Sequence, residues 1–368
     1  MTKETKDLSF QKENKLFFNK EEMYSFQQAN NNPDLQNKST SIDEEVPLKN
    51  DPHQSPYGKP SLSPFLVNTL EGSNFVYASY CPRYNMIIAG FYDCTIKFYD
   101  ATTLMPIEGR KVQKLNGYVT FMSYDDETET FLIGSNSGSI YAYNASSEEL
   151  KKLQRCEYVQ TIAFVNSRFY VFGEDSSRDL AIGSLDNENI SRVYSGNSDC
   201  KALEFLSKRD VLISGSENGF LRIYRTDKPP HFKDLSSIKA FPAKGKGVLA
   251  IKTIHVNGKE YILASGRDCT VKVWHLVKGK MRLLRVIQTE GIVNFFAYLE
   301  NYKVIATVSH RSNTIEFWNV LTWKLEKTFV CDKISGLWNS FLIEHKNVIG
   351  TIGGSGSRYD SIEFIQLG

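Results

Sequence analysis

Cysteine is scarce and scattered. Cys81, Cys94, Cys156, Cys200, Cys269 and Cys331 show no C-x-x-C spacing, so the chain signals neither a zinc site nor a disulfide framework. They read as reduced, small apolar residues. No apolar run approaches the ~20 residues of a membrane span, and Met1-Thr2-Lys3-Glu4-Thr5-Lys6-Asp7 mixes charges where a secretory signal would be apolar. The expectation is a soluble intracellular chain, cytoplasmic, with cytoskeletal or nuclear association left open, and no membrane insertion. An excess of one charge sign is also missing. Lys plus Arg number 44 against 42 Asp plus Glu, net +2, so no global field draws the chain to nucleic acid, and no nucleic-acid partner is expected. The six histidines, at 53, 231, 255, 275, 310 and 345, are dispersed. With no H-E-x-x-H, no nucleophile elbow and no metal-ligand spacing, neither catalysis nor a metal or cofactor is expected. Gly353-Gly354-Ser355-Gly356-Ser357-Arg358 looks like a phosphate loop but lacks the Gly-Lys-Ser/Thr ending, as does Pro242-Ala243-Lys244-Gly245-Lys246-Gly247. Both read as turns or loops.

What is present is a period. Short apolar runs, Met86-Ile87-Ile88-Ala89-Gly90, Phe131-Leu132-Ile133-Gly134, Phe169-Tyr170-Val171-Phe172-Gly173 and Val211-Leu212-Ile213-Ser214-Gly215, end in a small residue. Three more follow, around Ile262, Ile305 and Ile349, and the spacing from Ile87 onward stays between 39 and 50 residues. Runs this short, apolar on both faces, suit strands covered on either side; a helix would need greater length and a 3.6-residue rhythm. After each run comes a turn of Gly, Ser, Asn or Asp and then an alternating strand ending in most copies in an aromatic, as in Thr95-Ile96-Lys97-Phe98-Tyr99 and Thr270-Val271-Lys272-Val273-Trp274. An apolar strand precedes each such hairpin and a more polar one follows. Four strands in about 40–45 residues make one propeller blade. The fold class predicted is all-β, a seven-bladed β-propeller of four-stranded antiparallel blades.

The residues themselves resemble the WD-repeat family, whose repeats commonly close with a turn Asp and then Thr-Ile-Lys-Val-Trp-Asp. Asp93-Cys94-Thr95-Ile96-Lys97-Phe98-Tyr99-Asp100 and Asp268-Cys269-Thr270-Val271-Lys272-Val273-Trp274-His275 match well. Other copies are degenerate, Gly173 to Leu180 most of all, and no Gly-His dipeptide occurs. In the family that His joins the turn Asp, a Ser or Thr and the Trp in a buried hydrogen-bonded network. The resemblance implies that here the network is incomplete and that packing carries more of the load. It covers Phe65 to Leu367. The seventh blade has its third strand at Ile362 to Leu367, and Phe65-Leu66-Val67-Asn68-Thr69-Leu70 is the unassigned strand-like run that would complete it, as the family commonly does.

Residues 1–60 form a polar, proline-bearing extension and residues 61–368 the propeller. The extension reads as largely disordered or docked on a partner. Within it Phe10, Phe17 and Tyr24 fall seven apart and would share a helix face, which fits either a partner-binding segment or an irregular tail. Turns between second and third strands all open on one face and carry Arg178, Arg267, His310, Arg311 and Arg358, with Lys244 and Lys246 in an inter-blade loop on that side. Converging guanidinium groups would bind an acidic or phosphorylated peptide. Interspersed acids such as Asp175, Glu217 and Asp268 fit instead a mixed, solvated surface. The insertion Asp227 to Asp234 opens toward the opposite face as a second candidate contact. The function these features imply is a non-catalytic protein-interaction scaffold or adaptor within a multi-subunit assembly. The alternative is a peptide-recognition receptor, for example a ubiquitin-ligase substrate adaptor, reading acidic or phosphorylated peptides on the Arg-bearing face.

Overall fold

A computed structural model describes residues 62–72, 74–187, 189–194, 198–241, 247–277, 280–310, 312–332, 334–354 and 361–367. The extension 1–60, with Phe10, Phe17 and Tyr24, lies outside the described residues. The described chain forms seven four-stranded antiparallel sheets. Sheet 1 holds Phe75–Cys81, Met86–Phe91, Thr95–Asp100 and Gln113–Lys114; sheet 2 holds Val119–Asp125, Thr130–Ser135, Ser139–Asn144 and Leu150–Arg155. Sheet 3 holds Val159–Phe164, Phe169–Glu174, Asp179–Ser184 and Ser191–Tyr194; sheet 4 holds Cys200–Leu206, Val211–Ser216, Phe220–Arg225 and Lys233–Lys239. Sheet 5 holds Val248–Val256, Lys259–Gly266, Thr270–Val277 and Lys280–Gln288; sheet 6 holds Ile292–Leu299, Val304–His310, Thr314–Asn319 and Leu325–Val330. Sheet 7 takes Ser335–Ile343, Val348–Gly354 and Ser361–Leu367, and its fourth strand is Pro64–Glu71 from the other end of the chain.

The first strands touch one another in cyclic order, sheet 1 to sheet 7 and back to sheet 1, which makes the array a closed ring with those strands innermost. There is no single core. Among the described residues the buried apolar side chains fall into seven clusters, one in each gap between neighbouring sheets. Phe75 and Tyr99 of sheet 1 meet Phe341 and Phe364 of sheet 7, for example, and Trp274 of sheet 5 packs with Ile213 and Ile223 of sheet 4. Each inner sheet face is therefore an interface. That is why the second strands of sheets 1, 2 and 4 are buried at every position, with no exposed side for polar alternation.

The recurring glycine has the same origin. A Cβ on Gly134 would stand 2.6 Å from Cγ1 of Val159, and one on Gly215 would stand 2.4 Å from Cγ1 of Val248, so the next sheet's first strand packs directly on these backbones. The position is not always glycine: Val308 and Ile352 hold it in sheets 6 and 7, opposite Phe295 and Asn339. In all seven first strands the register shifts near the start, with Val76, Thr120, Gln160, Lys201, Leu249 and Asn294 the extra residues in the first six. Such bulges twist the strand and re-aim side chains at its end.

Closure follows the predicted route. Pro64 pairs with Leu367, Leu66 with Ile365, Leu70 with Ile362 and Glu71 with Ser361. A chain beginning at Gly72 loses this strand and leaves Ser361–Leu367 as an open edge. Its thermal midpoint is expected to fall by at least several degrees, about the shift that 1–2 kcal/mol produces in a domain of this size, with aggregation on heating. A chain beginning at Ser61 should melt like the full-length protein. Equal midpoints for the two truncations would show that the seam contributes nothing.

Candidate functional site

Two sets of loops open on one face, around the mouth of the central channel: the turns joining second to third strands, and the loops leading from each fourth strand into the next sheet. Backbone hydrogen bonds lock them together. The N–H groups of Tyr92, Asn136, Asp175 and Glu217, at the start of the turns of sheets 1 to 4, donate to the carbonyls of Asn74, Tyr118, Tyr158 and Asp199, just before the first strands, at 2.8–3.0 Å. In the other direction Leu115, Cys156, Phe241, Thr289 and Cys331 donate to Cys94, Gly138, Gly219, Cys269 and Asn313 at the turn tips. Those tips have left-handed φ, between 55° and 83°. Cys94 and Cys269 thus hold the position that glycine fills in sheets 2 and 4; their equivalence is conformational and they are free thiols in the structure.

The turn chemistry compensates for the missing Gly-His. Asp93 Oδ1 accepts from the hydroxyl and N–H of Thr95 at 2.5 and 3.0 Å, and Asp268 Oδ1 does the same for Thr270 at 2.6 and 3.1 Å. In the inter-blade loops Leu115, Cys156, Phe241, Thr289 and Cys331, none of them histidine, are each tied back to the turn by the same backbone bond. A side chain from the third strand then reaches up beneath the loop. In sheet 5 Lys272 Nζ donates to the Ala240 carbonyl at 2.6 Å and sits 4.4 Å over the Phe241 ring. In sheet 6 the equivalent residue is Glu316, buried at 2% exposure. Burial pushes its pKa up to about 7, aided by the nearby Glu290 carboxylate and opposed by the Glu290 N–H and the Thr307 hydroxyl, which hydrogen-bond it. Thr307 in turn accepts from Trp318 Nε1 at 3.2 Å. In sheet 7 it is Glu363, also buried, hydrogen-bonded to the Cys331 thiol, whose pKa is raised by burial and by that carboxylate.

The rim itself changes character around the ring. In sheets 1 to 3 it is aromatic: Tyr92 stacks on Tyr118 with ring centroids 4.9 Å apart, and Tyr118 hydrogen-bonds Tyr158. In sheets 3 and 4 it is acidic, with Lys201 Nζ among Glu217 at 3.0 Å, Asp199 at 3.6 Å and Asp175 at 3.8 Å. Gln160 Nε2 also donates to Asp175, at 3.1 Å. Asp199 has its pKa raised, by burial first and then by its hydrogen bond with Asp175.

Of the residues singled out by sequence, Arg178 and Arg267 stand on this face. Arg178 is exposed in the turn of sheet 3, whereas Arg267 Nη2 pairs with Glu217 Oε1 at 3.2 Å and its side chain is mostly buried. Lys244, Lys246, Arg311 and Arg358 lie outside the described residues. Sequence reasoning missed Lys201, Tyr92, Tyr118 and Tyr158; the signal available was position, each lying at a first-strand start or just after a second strand. The insertion Asp227 to Asp234 joins the third and fourth strands of sheet 4 and opens on the other face. No group of three or more His, Cys, Asp or Glu among the described residues is arranged to hold a metal ion. Among them no helix is long and apolar enough to cross a membrane.

Seven radial four-stranded sheets closed by a shared terminal strand define a β-propeller, and comparison with known proteins agrees. The crystal structure of the Cps50 (Swd1) β-propeller domain of Myceliophteria thermophila superposes with a TM-score of 0.67 at 11% identity, covering 83% of this chain and all of that domain. Residues 235–275 match the WD domain, G-beta repeat family. Among curated proteins, cilia- and flagella-associated protein 52 of Bos taurus is 22% identical over 199 residues, 53% of this chain and 30% of that protein. A p21-activated protein kinase-interacting protein 1-like protein of Xenopus laevis is 26% identical over 193 residues, 49% of each. The matches therefore span half or less of these relatives' own length. The chain is a seven-bladed β-propeller that carries a WD-type repeat at residues 235–275.

Glu316 gives the site a pH signature. Its folded pKa lies above the ordinary glutamate value of 4.5, so the folded state holds the extra proton, and stability is lost as pH rises from there through about 7. Glu316→Gln is expected to remove that slope, raising the thermal midpoint at pH 8 and leaving it near wild type at pH 5. Parallel midpoint-against-pH curves for the two proteins would refute the assignment.

Proposed function

We propose that this chain is a non-catalytic scaffold or adaptor subunit that holds protein partners within a larger assembly. The observation that carries this reading is the rigid loop face: turns and inter-blade loops are fixed to each other by reciprocal backbone bonds, yet present charged and aromatic side chains outward. Rigid loops on a packed frame bind with little ordering cost. Two concavities among the described residues are small. One between sheets 2 and 3, lined by Ala142, Lys151 and Leu185, has about 140 Å³, and one at the seam between sheets 1 and 7 about 170 Å³. Small-molecule sites typically need ~300 Å³ or more. The relatives named for cilia and flagella and for kinase interaction are consistent with work in assemblies and make a cytoskeletal setting the first place to look. The rival reading, a receptor for acidic or phosphorylated peptides, draws less support, because Arg267 already spends its guanidinium on Glu217.

Phe10, Phe17 and Tyr24 are proposed as a second attachment point. Affinity isolation of the full chain from its native source should return stoichiometric protein companions. The chain beginning at Ser61, which keeps the closing strand, should lose at least one of them. Recovery of the full chain alone would sink the scaffold reading; recovery of every companion on the truncated chain would sink the role of the aromatic segment only.

A further inference from the structure

The rim from the turn of sheet 1 to the turn of sheet 4 differs in chemistry from the balanced chain as a whole. Its loops carry Asp93, Glu157, Asp175, Asp199 and Glu217 against one base, Arg178, together with the three tyrosines. The inner strand adds a second base, Lys201, but in the layer beneath: its side chain is 15% exposed, while those of Asp175 and Glu217 are 50% and 36% exposed. The layer facing solvent is thus mainly carboxylate and phenol ring, with Arg178 the exposed base in the turn of sheet 3. Lys201 also shows what this layer accepts, since three carboxylates gather on one ammonium within 3.8 Å from three different loops. Each carboxylate has two oxygens and about four acceptor positions, so Lys201, with Gln160 on Asp175 and Arg267 on Glu217, does not exhaust them.

The aromatic half is complementary to the same kind of ligand. Tyr92 is 39% exposed, stacked on Tyr118 in a pair whose faces carry the negative end of the ring quadrupole. Carboxylates repel phosphate, which removes nucleic acid and phosphopeptides as occupants of this sector and leaves a cationic protein segment. We propose that the Tyr92–Tyr118–Tyr158 and Asp175–Asp199–Glu217 arc docks a linear lysine- and arginine-bearing segment of a protein partner. The cations sit on the tyrosine faces and against the outer carboxylate oxygens, and the segment runs along the rim across sheets 1 to 4. This rests on the scaffold reading and names the chemistry of one of its partners.

Fluorescence anisotropy of the full chain with a labelled dodecapeptide of alternating lysine, serine and arginine tests the arc, beside the counterpart carrying glutamate at every basic position. The basic peptide should bind at least about tenfold more tightly than the acidic one, and its affinity should fall as salt rises. Tyr92→Ala and, separately, Glu157→Lys should each weaken it severalfold; both sites are exposed, and unchanged melting curves verify folding. Arg285→Ala, on the outer strand of sheet 5, should leave it unaltered. Equal affinity for the two peptides, or unchanged affinity in both arc variants, overturns the inference. Companions recovered with the wild-type chain but no affinity for the basic peptide would reject the arc alone, whereas absence of companions would reject the reading on which it rests.

Discussion

A sheet in this ring has two faces covered by neighbours and one rim edge, and what decides whether the ring holds is how the first and last sheets are joined. The answer lies in an offset between sequence and structure. The matched WD repeat, residues 235–275, begins in the outer strand of sheet 4 and ends in the third strand of sheet 5. Each repeat thus starts in one sheet and finishes in the next, and every junction is crossed covalently. Carried around the circle, the offset requires that the strand opening the array belong to the sheet ending it. Pro64–Glu71 against Ser361–Leu367 is that requirement met, in a ladder interrupted only between Leu66 and Asn68. Without it sheets 1 and 7 would be held by the apolar cluster of Phe75, Phe341 and Phe364 and a few hydrogen bonds, such as those from the Ala78 N–H to Asn339 Oδ1 and from Lys346 Nζ to Thr102.

Given closure, the loop face needs little from any one side chain. The reciprocal bonds between turns and inter-blade loops are backbone to backbone, so they persist whether the loop residue is Leu115, Cys156, Phe241, Thr289 or Cys331. This explains how the repeats tolerate the loss of the family's histidine. The third-strand residue reaches the loop from below, and either polarity serves: Lys272 finds a carbonyl, Glu316 finds an N–H. A loop end presents both groups, so a buried charge of either sign can be accommodated, at the cost of a displaced pKa.

Much of this was legible in sequence and some was not, for identifiable reasons. The period, the blade count and the closing strand were readable because they depend on apolar runs and turn residues, which burial on two faces and hairpin geometry impose directly. The degenerate stretch Gly173 to Leu180 still forms a regular hairpin, Gly173 pairing with Leu180, since the ladder uses backbone groups the motif does not describe. The bulges at Val76, Thr120, Gln160, Lys201, Leu249 and Asn294 left no mark, because these residues share no side-chain type. Nor did the arc: Tyr92, Tyr158 and Glu217 are far apart in the chain and become neighbours on the rim only through radial repetition. Arg267 lies in the turn of sheet 5, but its pairing with Glu217 crosses from sheet 5 to sheet 4, and a reading of single turns does not contain that contact.

The same geometry ties recognition to stability. A surface drawn from four successive sheets exists only while those sheets keep their mutual angles, and the angles are set by the three apolar wedges between them. Opening the seam between sheets 7 and 1 relieves the constraint that makes the wedges equivalent, and the first sheet to gain freedom is the one bearing Tyr92 and Asp93. Tyr92 is stacked on Tyr118 of the following loop, so its displacement is transmitted to the aromatic part of the rim before the acidic part. The carboxylates are anchored differently, gathered on Lys201 from inside and linked to sheet 5 by Arg267, with no direct bond to the seam. Loosening of the ring should accordingly divide the arc, leaving an acidic half that still attracts cations and an aromatic half that no longer positions them.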